Sequence, residues 1–123
     1  MDYHPGNCNI GDAEIRRRYI IGYTGTALAI TLIIAVHVAQ LPREARLLLV
    51  FPVGIAAAGF VQGLMKFCLA YGFRGVFSTK GLRKLSRVTA STDRKADLKT
   101  AAKSVAIITV IAILVTTIYY LLP

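Results

Sequence analysis

The chain has 123 residues, of which 55% are hydrophobic and 17% are charged, with 15 Lys and Arg against 6 Asp and Glu. A soluble domain of this length could not bury so many apolar residues, whereas helices in lipid need not hide them. The composition therefore excludes an ordinary soluble globular domain. With two Cys and no Trp, it also argues against a disulfide scaffold or a zinc cluster.

Three apolar segments are long enough to cross a bilayer as helices. They cover about residues 19–41, 47–69 and 104–122, and about 20 residues suffice to span ~30 Å of hydrocarbon. The first two are joined by a tight turn and should form an antiparallel hairpin, and a basic loop over about 72–103 precedes the third. The sequence predicts an all-α membrane protein, with residues 1–123 as a single integral membrane domain.

Basic residues lie unequally on the two sides of these spans. Three arginines precede the first span and ten Lys or Arg residues lie within 66–103, whereas only Arg43 and Arg46 lie between the first two spans. The positive-inside rule then predicts a multi-pass protein of the cytoplasmic (inner) membrane. Its N-terminus and long loop should be inside and its C-terminus outside.

The long loop is predicted to lie against the membrane surface. Residues 66–103 hold ten basic and two acidic residues, and a basic residue near anionic headgroups contributes ~1 kcal/mol. Within the loop, Gly81–Val88 predicts a short cationic amphipathic helix, with Arg83, Lys84 and Arg87 as anionic-lipid contacts. The loop lacks the interleaved aromatic residues that would favour nucleic acid. A third helix should begin near Thr92, with Ser91 or Thr92 as its N-cap, and continue as one rod.

Small residues recur at four-residue spacing on the first two spans. Gly25 and Ala29 lie on the first, and Gly59 and Gly63 lie on the second. Such stripes let helix backbones approach closely, which favours packing of the first helix on the second. Self-association through the same stripe is the alternative.

His37 is the one histidine within a predicted span. It could ligate haem or a pigment if another subunit supplied the second ligand, or it could hydrogen-bond to a neighbouring helix. No Asp or Glu lies within the three spans, which disfavours proton or cation transport. The chain also shows no metal-binding or nucleophile motif, so the sequence predicts neither a catalytic residue nor a metal site.

The two cysteines carry the one chemistry that the sequence suggests. Cys8 precedes the first helix and Cys68 follows the second, so the predicted topology brings both to the cytoplasmic interface. Packing of the hairpin could make them neighbours. Nearby arginines and lysines would favour the reactive thiolate; two inert, buried packing residues are the alternative.

Two short motifs resemble a known family. Asn9-Ile10-Gly11 is followed by Glu14, Arg17 and Gly22, and Phe67-Cys68-Leu69-Ala70-Tyr71 is followed by Gly72 and Gly75. Over about residues 7–77 the chain resembles the DUF2892 family of small two-helix bacterial inner-membrane proteins. Some members are fused to rhodanese domains, which implies proximity to sulfane-sulfur transfer and a persulfide role for Cys68. Leu69 replaces the family's usual proline, and Cys8 and the third helix are additions.

These patterns favour a small non-catalytic membrane protein without a cofactor. It would act as a packing or assembly subunit, as a homo-oligomer or within a larger membrane complex, in contact with anionic lipids and not with nucleic acid. The first alternative is a thiol or persulfide relay at the cytoplasmic face, using Cys68 with Cys8. The second alternative is a haem- or pigment-binding subunit using His37.

Overall fold

The computed structural model describes residues 3–81 and 84–123, and three long helical segments dominate it. In chain order the elements are α1 (Asp12–Val38), a 3-10 helix (Arg43–Leu49), α2 (Val50–Met65), α3 (Leu69–Arg74), β1 (Val76–Phe77), β2 (Ser86–Arg87) and α4 (Ser91–Leu121). The 3-10 helix continues directly into α2. The two short strands are antiparallel, with Val76 paired to Arg87 and Phe77 to Ser86.

Three helical segments are long and apolar enough to cross a membrane, namely Asp12–Val38, Arg43–Met65 and Ser91–Leu121. This confirms the predicted all-α membrane fold. The first segment packs along the second and the third also packs against the second, so α2 is the central helix. The predicted hairpin of the first two helices is formed.

The third spanning helix begins well before its apolar part. It starts at Ser91 and runs without a break to Leu121, a length of about 46 Å at 1.5 Å per residue. The single rod is therefore confirmed, and the later part of the predicted loop over 72–103 belongs to it. The N-cap is Ala90 and it makes no side-chain capping bond, so the expected cap at Ser91 or Thr92 is wrong.

The amphipathic helix predicted over Gly81–Val88 is not formed by the described residues of that segment. Strand β2 occupies Ser86–Arg87, and the N–H of Val88 donates a hydrogen bond of 2.8 Å to the carbonyl oxygen of Gly75. Gly81 has a φ of 147°, which no helix accommodates. Pairing with β1 thus satisfies the backbone groups that a helix would have satisfied internally.

Glycines on both helices make the contact between α1 and α2. A Cβ atom added to Gly59 would collide with the backbone nitrogen of Gly22 and lie 2.6 Å from the carbonyl oxygen of Arg18. A Cβ atom at Gly25 would collide with the backbone nitrogen of Ala56 and lie 2.8 Å from its Cα atom. The two backbones therefore touch here, which gains the dispersion contacts that hold helices together in lipid.

The other small residues of α1 and α2 have looser surroundings. A Cβ atom at Gly63 would lie 3.3 Å from the ring of Tyr19, whereas one at Gly54 would meet nothing within 4 Å. Ala29 is half-buried. Gly59 and Gly25 are therefore the positions at which a side chain is least tolerated, and Gly54 offers a matched control on the same helix.

We expect Gly59→Ala to destabilise the bundle by ~2 kcal/mol or more, because the added methyl group must push two backbones apart. Gly54→Ala should leave stability unchanged or raise it by up to ~1 kcal/mol, since alanine is the better helix former. Thermal unfolding in one detergent, followed by circular dichroism, measures both. Equal melting temperatures for the two variants would contradict the close contact.

Candidate functional site

The N-terminal segment folds back over the end of the bundle at which α1 begins and α2 ends. We call this end the basic end, and the residues that cover it (3–11, 66–81 and 84–90) the cap. The N–H of Asn9 donates to the carbonyl of Lys66 at 3.1 Å, and the N–H of Ser78 donates to the carbonyl of Asn9 at 2.8 Å. Gly11 donates to Ser78 in turn, at 2.9 Å. The segment before α1 is thus tied to the residues on both sides of α3.

The side chain of Asn9 holds the backbone at Cys68. Its amide nitrogen donates to the carbonyl of Cys68 at 3.1 Å, and its amide oxygen accepts from the N–H of Cys68 at 2.6 Å. Asn9 is completely buried. Cys68 is also the N-cap of α3, so this pair of bonds fixes the point where the chain turns from α2 into α3.

Four polar side chains form a buried cluster beneath this turn: Glu14, Arg18, Cys68 and Tyr71. The Nη2 atom of Arg18 donates to the sulfur of Cys68 at 2.9 Å and lies 3.6 Å from a carboxylate oxygen of Glu14. The hydroxyl of Tyr71 donates to the other oxygen of Glu14 at 3.3 Å. Burial, and then the nearby Glu14 carboxylate, raise the pKa of Tyr71, which keeps this phenol a hydrogen-bond donor.

The two thiols reach the same end of the molecule but have different partners. Cys8 is buried and its thiol donates to the carbonyl of Ile10 at 3.4 Å, whereas the sulfur of Cys68 accepts from Arg18. Both cysteines are free. Both cysteines therefore lie at the basic end, and each thiol has its own hydrogen-bond partner.

Asp97 joins the N-terminal segment to α4, a role that the sequence did not indicate. It is completely buried, it accepts a hydrogen bond of 2.5 Å from the hydroxyl of Tyr3, and it accepts one of 2.7 Å from the N–H of Gly6. Thr100, one turn further along, donates to the carbonyl of Gly6 at 2.6 Å. In the sequence, Asp97 is recognisable only as one of the two acidic residues within 66–103. Its hydrogen-bond partners could not be predicted, because they lie more than 90 residues away in the chain.

His37 lies at the opposite end of the bundle, in contact with the C-terminal part of α4. Its Nε2 atom lies 3.1 Å from the hydroxyl of Tyr119. Arg46, from the 3-10 helix, donates to the carbonyls of Tyr119 and Leu122 at 3.1 and 2.6 Å, and its guanidinium lies over the ring of Tyr119. His37 thus belongs to a junction of the three spanning segments.

The basic end also carries an open cavity of about 450 Å³. Its lining residues are Arg74, Gly75, Val76, Arg87, Val88 and Arg94. Of the predicted lipid contacts, Arg87 lines this cavity and Lys84 is exposed, whereas Arg83 lies outside the described residues. Within residues 3–81 and 84–123, no group of three His, Cys, Asp or Glu side chains could hold a metal ion.

Comparison of the chain with protein-family models, with characterised proteins and with solved structures finds no match. Support for a function therefore comes from the geometry of the structure alone. It offers three features: a buried thiol cluster, a junction around His37, and a cavity lined by arginines.

We expect Asn9→Ala to loosen the cap, because it leaves the N–H and carbonyl of Cys68 without these partners, at about 2 kcal/mol. Backbone amides of Gly11 and Ser78 should then exchange with solvent at least roughly tenfold faster. Asn7→Ala, at an exposed position of the same segment, is the control and should exchange as the parent does. Unchanged exchange in Asn9→Ala would contradict the role given to the Asn9 side chain.

Proposed function

We propose that this protein is a non-catalytic subunit of a membrane assembly. The observation that supports this function is that the side chains able to take part in catalysis are instead engaged in contacts within the protein. Cys68 is 2% exposed, Glu14 and Asp97 are completely buried, and His37 is hydrogen-bonded to Tyr119. A catalytic group must reach its substrate within hydrogen-bonding distance, and these groups instead bond to other parts of the fold.

The spanning segments leave most of their apolar surface uncovered. Only 22 to 28% of their most apolar windows is buried within the protein, and Val38, Leu64 and Phe51 are among the most exposed side chains. The hydroxyls of Thr24 and Thr31 on this surface donate to carbonyls of their own helix at 2.9 and 2.8 Å. The surface therefore offers neighbouring subunits, or lipid, broad apolar contact without an unsatisfied hydroxyl at these positions.

In this proposal the protein lies in the cytoplasmic membrane with the basic end inside. The positive-inside asymmetry supports that orientation. Exposed basic side chains of the cap that lie outside the arginine-lined cavity, including Lys66 and Lys84, would then approach anionic headgroups, which adds about 1 kcal/mol each to membrane attachment. In this arrangement the cap is a folded layer at the cytoplasmic ends of the three helices and sets their position.

The assembly proposal is tested by a photo-crosslinking residue placed singly at Val38, Phe51 or Leu64 in native membranes. We expect at least one position to give a protein adduct of a single defined mass, either the dimer or one recurrent partner. Ala57, which is buried, is the control position and should give none. Lipid adducts alone at all three exposed positions would contradict an assembly role.

We expect a topology reporter fused after Pro123 to be external and one inserted near Thr92 to be internal. The expectation rests on the distribution of basic residues and on the odd number of spans. Reporters that act only on one side of the membrane give the two readings. Both reporters on the same side would contradict the three-span arrangement, and exchanged sides would contradict the orientation.

One observation favours a thiol relay as the second candidate. The guanidinium of Arg18 lies 2.9 Å from the sulfur of Cys68, and a positive charge there stabilises a thiolate. Residues of the DUF2892-like motifs also meet around this sulfur, with Asn9 at its backbone and Glu14 beside Arg18. In such a relay the thiolate would attack the outer sulfur of a donor persulfide, and the donor would leave as a thiolate.

The relay requires the cap to open, because the thiol of Cys68 is almost completely buried. We would incubate the membrane-embedded protein with a small-molecule persulfide and weigh the peptide that contains Cys68. Addition of one sulfur atom to native protein, retained in Cys8→Ser and lost in Arg18→Gln, would favour the relay. Addition only after denaturation would leave the thiol as part of the fold.

His37 is not proposed as a haem ligand, since its Nε2 atom is hydrogen-bonded to the hydroxyl of Tyr119.

A further inference from the structure

The cavity at the basic end is formed by three elements that meet beside the strand pair. It lies between the last residue of α3, the paired strands and the first turn of α4. Its volume of about 450 Å³ is within the ~300–1,000 Å³ range of small-ligand pockets. The residues that surround it come from separate parts of the chain, so the folded cap creates it.

Each of these elements contributes one arginine. Arg74 ends α3, Arg87 lies in β2, and Arg94 lies in the first turn of α4. Among the described residues, no carboxylate lines the cavity and no ion pair involves any of the three guanidinium groups. Three uncompensated positive charges around one cavity repel each other unless an anion lies between them.

The acidic residue Asp97, three residues after Arg94, is directed to the N-terminal segment. It accepts hydrogen bonds from Tyr3 and from Gly6. Burial, the hydrogen bond to Asp97 and the charges of Asp97 and Asp93 raise the pKa of Tyr3. Neither carboxylate is among the residues that line the cavity.

Gly75 makes room for one of the arginines. Its φ of 70° is left-handed, and a Cβ atom there would lie 2.8 Å from the Nε atom of Arg94. Its carbonyl also accepts the hydrogen bond from Val88 that holds the chain after β2. A glycine at this position therefore both ends α3 and lets the guanidinium of Arg94 lie against the backbone.

We propose that this cavity binds the phosphate group of a small ligand. Planar guanidinium groups donate paired hydrogen bonds to phosphate oxygens, and the three positive charges are more than enough to neutralise a phosphate dianion. The described residues of the lining include no carboxylate, thiol or histidine, so we assign the site to binding and not to reaction. The cavity is formed by the cap and the first turn of α4, so the proposal does not depend on what the apolar surfaces of the spanning helices assemble with.

The position of the cavity indicates that the phosphate comes from the aqueous phase. Arg94 precedes Ser104, where the uncharged part of α4 begins, by ten residues, or about 15 Å along the helix. The headgroup layer on one side of a bilayer is only ~5–8 Å thick, and a usual tilt of ~20° changes the depth little. The phosphates of the lipids would therefore lie closer to the bilayer centre than the cavity does. A soluble phosphorylated compound can enter the cavity from the aqueous side.

The test measures binding of inorganic phosphate to the full chain in phosphatidylcholine nanodiscs by calorimetry. We expect saturable binding that weakens at least roughly tenfold in each of Arg74→Gln, Arg87→Gln and Arg94→Gln, since each removes charge-assisted hydrogen bonds. Lys95→Gln removes the same charge from an exposed neighbour outside the lining and should bind as the parent does. Circular dichroism confirms folding, and Arg94→Lys, which keeps the charge, replaces any variant that unfolds.

Two results would overturn the proposal. If Lys95→Gln weakens binding as much as the lining variants do, the protein attracts phosphate by net charge and has no site. If nanodiscs that contain phosphatidic acid abolish binding of soluble phosphate, lipid headgroups reach the cavity and the aqueous source is wrong. Unchanged affinity in those nanodiscs supports the soluble ligand.

Discussion

The rest of the structure depends on the backbone contact between α1 and α2 at Gly22 and Gly59. Because neither glycine has a side chain, the helices approach until the backbone nitrogen of Gly22 and the carbonyl of Arg18 lie against Gly59. The same approach places Arg18 near the end of α2, within reach of Cys68. The packing of apolar helices and the position of the buried polar cluster thus have one physical cause.

Polar groups at the two ends of the bundle serve the same purpose as these glycines. At the basic end, Asn9 and Asp97 tie the N-terminal segment to the α2–α3 turn and to α4. At the opposite end, His37 and Arg46 connect the other spanning segments to the end of α4. Hydrogen bonds in a weakly polar environment are costly to leave unmade, so these contacts restrict how the helices can shift.

Local patterns in the sequence were enough to predict the spans, the hairpin and the continuous third helix. Each depends on hydropathy and on spacing within about 30 residues. The cap could not be predicted in this way, because Tyr3 and Asp97 are distant in the chain and the paired strands are only two residues each. The family-like motif includes Arg17, whereas Arg18 contacts Cys68. Which of these adjacent arginines faces Cys68 depends on how α1 is rotated against α2, and the motif does not specify that rotation.

The central inference is that Cys68 and the polar side chains around it hold the fold and are closed to solvent. Alkylation of Cys68 in a Cys8→Ser variant, compared in native membranes and after denaturation, tests this most directly. A buried thiol reacts only when its surroundings open, and opening by a few kcal/mol predicts native alkylation slower by on the order of 100-fold. Native alkylation as fast as that of the denatured chain would show an accessible thiol and contradict the structural role of the cluster.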